Sequence, residues 1–287
     1  MNNKNALLLS FVLLLASLQA RAAESTGGDG LSGDELVVSD DAKFVLGTGI
    51  GIVRFDVNSK VTDKQTGGGW YIDLEGNLDL AKWSKVRNFY VAYQLSEKHS
   101  LLFSYFDVER KSTLLDIDEN FEDLVLINAE VEVRDRSKFY GFAYGYSLFR
   151  DNHSDITLIA GIDVIDLNFE AEANGTITVE GDTRSGVDLA NGGATAPLPL
   201  IGLNFNNRFT PKWSLATKIA FVSGRHEEVS AIVLSTNIIS RYQFSRNLGL
   251  LLGLTYFTAD VENDRTNQVS EISYQYNGLF LGLHLGI

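Results

Sequence analysis

The chain has 287 residues, no cysteine, and a formal net charge of −13 from 24 basic and 37 acidic side chains. Without cysteine, disulfides and thiolate metal sites are excluded. The acidic balance argues against nucleic acid or an anionic lipid surface as a partner.

The first element is an export signal. Lys4 supplies a positive n-region, the run of 13 residues from Ala6 to Leu18 an apolar h-region, and Ala20-Arg21-Ala22 a cleavage site. That run is too short for a spanning helix, which needs ~20 apolar residues. Removing residues 1–22 takes away Lys4 and Arg21, so −13 becomes −15 in the mature chain. Residues 23–42 are rich in Gly, Ser and Asp and read as a flexible periplasmic leader. From Lys43 to Ile287 the chain reads as one domain.

That domain is a series of strands in which one face is apolar and the other small or polar. The first strand runs from Phe44 to Val57, with Phe44, Leu46, Ile50 and Ile52 on one side and Gly47, Gly49 and Gly51 on the other. The second ends at Tyr93, and the third begins at Leu101 and is expected to leave the membrane near Phe106, because Asp107 and Glu109 follow on its apolar face. The fourth sets Tyr140, Phe142, Tyr144 and Tyr146 against Gly141, Ala143 and Gly145. The fifth sets Ile156, Leu158, Ile162 and Val164 against Gly161 and Asp163, and its apolar face switches after Ile165, as a β-bulge would make it do. The sixth to ninth continue the alternation: Ile201 against Asn204 and Arg208, Phe221 against Lys218, Ile238 against Arg241, and Leu252 against Gly253. The last stretch is the cleanest, with Leu279, Leu281, Leu283, Leu285 and Ile287 on one face and Gly282, His284 and Gly286 on the other.

An exported chain with no spanning helix can cross lipid only as a closed barrel. The expected fold is therefore all-β, a transmembrane antiparallel up-and-down β-barrel with its aliphatic faces toward lipid. Four polar turns, near 97, 151, 211 and 246, join strand pairs, and a first and last strand bring the number to ten, with eight or twelve as alternatives. Tyr93, Tyr146, Phe149, Trp213 and Tyr242 flank these turns, where an aromatic girdle belongs. A soluble barrel would carry the polar face outward instead.

The longer connections then face outside the cell. In the first, residues 58–85, apolar and acidic residues alternate from Ile72 to Leu80. This reads most simply as an extension of the second strand, with a lid or plug in the barrel mouth as the other arrangement. The second, residues 111–136, is acidic, with Asp116, Asp118, Glu119, Glu122, Asp123, Glu130, Glu132 and Asp135. Asp116, Asp118, Glu119, Glu122 and Asp123 form a candidate cation-binding loop, although calcium-loop spacing is missing and a solvated acidic loop is the simpler reading. The third, residues 173–196, is rich in Gly, Asn, Thr and Ala and is expected to be mobile.

No Gly-x-Ser-x-Gly elbow or His-Glu-x-x-His site is present. His99 and His153 fall in periplasmic turns, and His226 alone sits at the outer rim, beside Glu227 and Glu228, where a hydrolase would need a general base. In the lumen, Asp163, Arg208, Lys218, Arg241 and His284 are the candidate polar network. Neither a cofactor nor a metal centre is expected.

The Ile72–Leu80 segment, the Tyr93–Phe106 hairpin and Tyr144-Gly145-Tyr146-Ser147-Leu148 resemble framework motifs of a widespread family of bacterial outer-membrane, porin-like β-barrel proteins. The end of the chain is similar to the signal read by barrel-assembly machinery, through Gly282, Leu285 and Ile287, but it ends in Ile287 rather than an aromatic residue and has Phe280 where a polar residue is usual. The resemblance implies a place and a fold: a monomeric barrel in the bacterial outer membrane, contacting its lipid and lipopolysaccharide. Three roles remain: a non-enzymatic envelope barrel or narrow small-solute porin, a surface-binding barrel using its acidic loops, and an outer-membrane hydrolase or lipid A-modifying enzyme built on His226.

Overall fold

A computed structural model describes residues 42–121, 124–179, 182–226, 228–264 and 266–287. The signal segment, nearly all of the leader, and Glu122 and Asp123 of the candidate cation loop lie outside them. Among the described residues eleven strands form one antiparallel sheet: β1 (Phe44–Asp63), β2 (Gly69–Asp73), β3 (Trp83–Ser96), β4 (His99–Phe121), β5 (Leu124–Arg150), β6 (Ser154–Val179), β7 (Asp182–Thr210), β8 (Trp213–His226), β9 (Val229–Gln243), β10 (Leu248–Asp264) and β11 (Gln268–Gly286).

The sheet closes on itself. β1 pairs with β3 on one side and β11 on the other, so Leu46 faces both Val91 and Leu285. Phe44 N donates to Ile287 O at 3.0 Å, and Ile287 N donates to Phe44 O at 2.8 Å. Closure satisfies backbone groups that an open edge would expose, which is what hydrocarbon demands. The addition to the strands read from sequence is β2, which pairs with Asn58–Thr62 of β1 on the edge that β3 occupies lower down, while β11 holds the other edge.

The outer surface carries a belt of exposed aliphatic and aromatic side chains. Ile50 is 68% exposed, Phe142 59%, Ile201 56% and Leu252 55%, and Ile162, Leu279 and Leu281 are comparable. Water does not tolerate a continuous apolar belt of this extent on a monomer, and a bilayer does. Tyr93, Phe149, Trp213 and Tyr242 are exposed at the margin beside the short turns, where the Trp213 indole donates to Ser240 Oγ at 2.8 Å. At the opposite margin the outer face becomes charged with Arg54, Arg87 and Lys138, and Arg87 pairs with Asp107 at 3.1 Å.

Beyond that margin the strands continue, which corrects two expectations. Residues 111–121 belong to β4 and 124–136 to β5, and residues 173–179 and 182–196 are paired parts of β6 and β7. The long connections are thus strand pairs, in which most of the backbone groups that a loop would leave to water meet a partner on the next strand, with register shifts near residues 115–118, 128–129 and 175–176. Nor does a bulge follow Ile165. Pairing of β6 with β7 runs unbroken from Ser154 opposite Asn207 to Ala171 opposite Ala190, and Ile165 points inward, 4% exposed. The interior itself turns apolar at that height.

Candidate functional site

The interior has three levels, set by what each strand presents after its inward glycines. On β1, Gly47, Gly49 and Gly51 give way to Val53, Phe55 and Val57, all buried. At this level six aromatic rings from five strands fill the lumen: Phe55, Phe106, Phe139, Phe257, Tyr274 and Tyr276. Tyr276 stacks on Phe257 with centroids 4.7 Å apart and on Phe106 at 5.1 Å, while Phe139 meets Phe257 edge-on at 5.3 Å. Offset and edge contacts of this kind add to the area each ring removes from water.

Above this layer the segment after β2 folds into the barrel mouth. Ile72, Leu74, Leu78 and Leu80 are at most 3% exposed. The turn is built by polar side chains on the backbone. Asp73 Oδ1 accepts from the N–H groups of Glu75 at 3.1 Å and Gly76 at 2.8 Å, and Asn77 Oδ1 accepts from Asp73 N at 2.9 Å. Asp79 reverses the chain with φ of 45°, a region aspartate tolerates. Of the two arrangements open from sequence the plug is the one formed, and the strand extension stops at Asp73.

One buried cation ties the plug to the wall. Arg110 on β4 is fully buried; its Nε and Nη2 donate to Asp135 Oδ2 of β5 at 2.9 and 2.7 Å, and Nη1 donates to Glu75 of the plug. Its guanidinium lies 4.2 Å from the centre of the Phe55 ring. The carboxylates are held in turn: Glu75 Oε2 accepts from Val57 N at 2.7 Å, and Ser137 Oγ donates to Asp135 Oδ1 at 2.6 Å. Burial pushes the Glu75 carboxyl above its ordinary range, and the Arg110 guanidinium only partly offsets this. Asp135, expected in a solvated acidic loop, is therefore a buried ion-pair partner, 2% exposed. Sequence reading missed Arg110 although the signal was there: counting inward from Ser104 through Phe106 and Val108 reaches Arg110.

Below the aromatic layer lies a cavity of about 270 Å³, lined from the strands around the ring by Asp163, Lys218 and Arg241 with Asn88, Asn204, Asn237, Ser104 and Thr255. Of the candidate polar network, these three charged residues share this space. Asp163 and Lys218 feel each other's charge without closing to an ion pair, and Arg241 Nε is buried without a partner. The other two lie apart from it. Arg208 sits beside the short turn between β5 and β6, donating to Asn152 O at 3.5 Å. His284 packs over Gly249, where a Cβ would come within 2.2 Å of its Nε2 and 2.7 Å of Gln243 Oε1, so a larger residue there would displace both side chains.

The remaining candidates do not converge. Asp116, Asp118 and Glu119 fall on β4, but their side chains lie outside the described residues, and among the described residues no three His, Asp or Glu side chains form a metal-holding group. His226 ends β8 with its backbone opposite Val229; its side chain and Glu227 lie outside the described residues. His99 stands on the outer surface, its ring against Tyr144 and Tyr146.

The geometry defines a closed antiparallel barrel with a lipid-facing belt and a filled outer half. Comparison with solved structures finds outer-membrane barrels. The chain is similar to the outer membrane protease OmpT of Escherichia coli, with a TM-score of 0.49 and 10% identity over 90% of this chain and 99% of that one. It is also similar to the toluene transporter TodX of Pseudomonas putida, with a TM-score of 0.33 and 11% identity over 90% and 95%. The attachment invasion locus protein Ail of Yersinia pestis gives a TM-score of 0.23 and 8% identity over 83% and 99%. These neighbours differ in what they do, and at such identities the likeness concerns fold. No protein-family model matches the sequence, and no curated protein does.

Proposed function

We propose that the chain is a non-enzymatic barrel of the bacterial outer membrane whose lumen is sealed against the outside, so that it serves the envelope as a structural element and passes solutes slowly if at all. The observation that carries this reading is the filled outer half of the lumen: a layer of six aromatic rings under a plug whose leucines are buried and whose Glu75 is ion-paired to the wall. A barrel that conducts needs a continuous polar path, and packed aromatic and aliphatic side chains offer none. The apolar belt, and the export signal read from the sequence, support that location.

Reconstitution in a planar bilayer tests the reading. The native barrel is expected to give no resolved conductance steps in molar salt, and Phe257→Ala with Tyr276→Ala, which thins the aromatic layer, to give small flickering currents. Stable porin-like steps from the native chain would refute closure.

A further inference from the structure

The cavity beneath the aromatic layer is built unlike a passive void. An empty cavity in a folded protein is normally apolar, and charged groups inside one must be paired or hydrated. Here two cations and one anion face a common space, with Asp163 and Lys218 not joined in an ion pair and Arg241 Nε buried without a partner. One positive charge is left over. Above it the wall is aromatic, through Phe257 and Tyr276, and Asn204 adds a polar group to the side. A volume of about 270 Å³ lies just under the ~300 Å³ at which small-molecule sites begin.

We propose that this cavity is a binding site for a small organic anion, a single carboxylate on an aromatic or short aliphatic body. The carboxylate lies between Lys218 and Arg241, opposite Asp163, and the apolar body lies against the underside of the aromatic layer. Because the core and plug fill the outer half, the ligand enters from the periplasmic end. An apolar ligand without charge leaves the cations uncompensated, and a bare inorganic anion leaves the aromatic wall unused.

Calorimetric titration of the folded full-length barrel with sodium benzoate, and with benzyl alcohol as its neutral counterpart, tests this. Benzoate is expected to bind at one site, at least about tenfold more tightly than benzyl alcohol, and Lys218→Met and Arg241→Gln each to weaken it at least about tenfold. Asp163→Asn removes the competing negative charge and is expected to tighten benzoate binding several-fold. Equal binding of benzoate and benzyl alcohol, or benzoate affinity unchanged by Lys218→Met, overturns the proposal. Should both cation variants fail to fold, Asp163→Asn decides it, since unchanged or weaker benzoate binding there also overturns it. Binding is read in solution and conductance in a bilayer, so failure of one proposal is distinguishable from failure of the other.

Discussion

Arg110 shows how a single side chain sets the state of the barrel mouth. A guanidinium taken fully out of water is costly unless its donors are met, and here two carboxylates, from the wall and from the plug, meet them. Such a group of charges adds little net stability, but removing one member strands the others. Burial raises the folded pKa of the Glu75 carboxyl, so the docked glutamate holds its proton more firmly than a released one, and the docking energy linked to that proton is full below the ordinary glutamate range. It declines as pH rises through the elevated folded value. Hydrogen-exchange protection of the Val57 and Leu74 amides should therefore fall as pH rises from the ordinary glutamate range through the elevated folded value. Glu75→Gln should flatten that dependence, and an unchanged slope in the variant would assign it to another group.

The plug is an element whose shape comes from turn chemistry rather than periodicity. Ile72, Leu74, Leu78 and Leu80 stand at even spacing, and period-two alternation alone extends a strand through them. Asp73, Gly76 and Asn77 interrupt it, because short polar side chains that bond the backbone compete with a ladder. The spacing thus marked the residues to be buried, while their placement in the mouth depended on a wall of Val53, Val108 and Val133 from distant strands. Leu78, 1% exposed, is fixed by that wall. Leu78→Ala is expected to cost roughly 2–5 kcal/mol, within the range for buried leucines. The loss should register as faster exchange in residues 72–82, with the belt strands unaffected; equal loosening of β10 and β11 would mean that plug and barrel unfold as one unit.

Across the whole molecule the strands reverse polarity at the outer margin of the belt. On β1 the outer face passes from Ile50 and Ile52 to Arg54 and Asp56 as the inner face passes from glycine to Val53 and Phe55. β5 does the same, with Phe142 and Tyr140 outside giving way to Lys138 and Arg136 while Phe139 and Val133 turn inward. The chain is a membrane barrel below and a soluble, cored barrel above, on the same strands. Leu281→Arg, within the belt, should lower folding stability in lipid vesicles by roughly 2–4 kcal/mol, whereas Asp56→Arg above the margin should cost less than ~1 kcal/mol. Urea titration of vesicle-folded protein separates them, and similar costs at both sites would dismiss the lipid-facing belt.

The sequence by itself determined the alternation, the short turns and the exposed apolar belt with its aromatic margin, because these depend on a period of two and on neighbours along the chain. It placed Asp163, Lys218 and Arg241 on inward faces for the same reason. Tertiary structure alone decided that the three share a cavity, that Arg110 meets Glu75 and Asp135, and that six rings close the lumen. Those contacts join residues separated by as many as 221 positions, Phe55 and Tyr276 being the farthest apart, and which of them meet follows from the register and closure of the ring. A pattern read strand by strand gives each side chain a face but not a height or an opposite number.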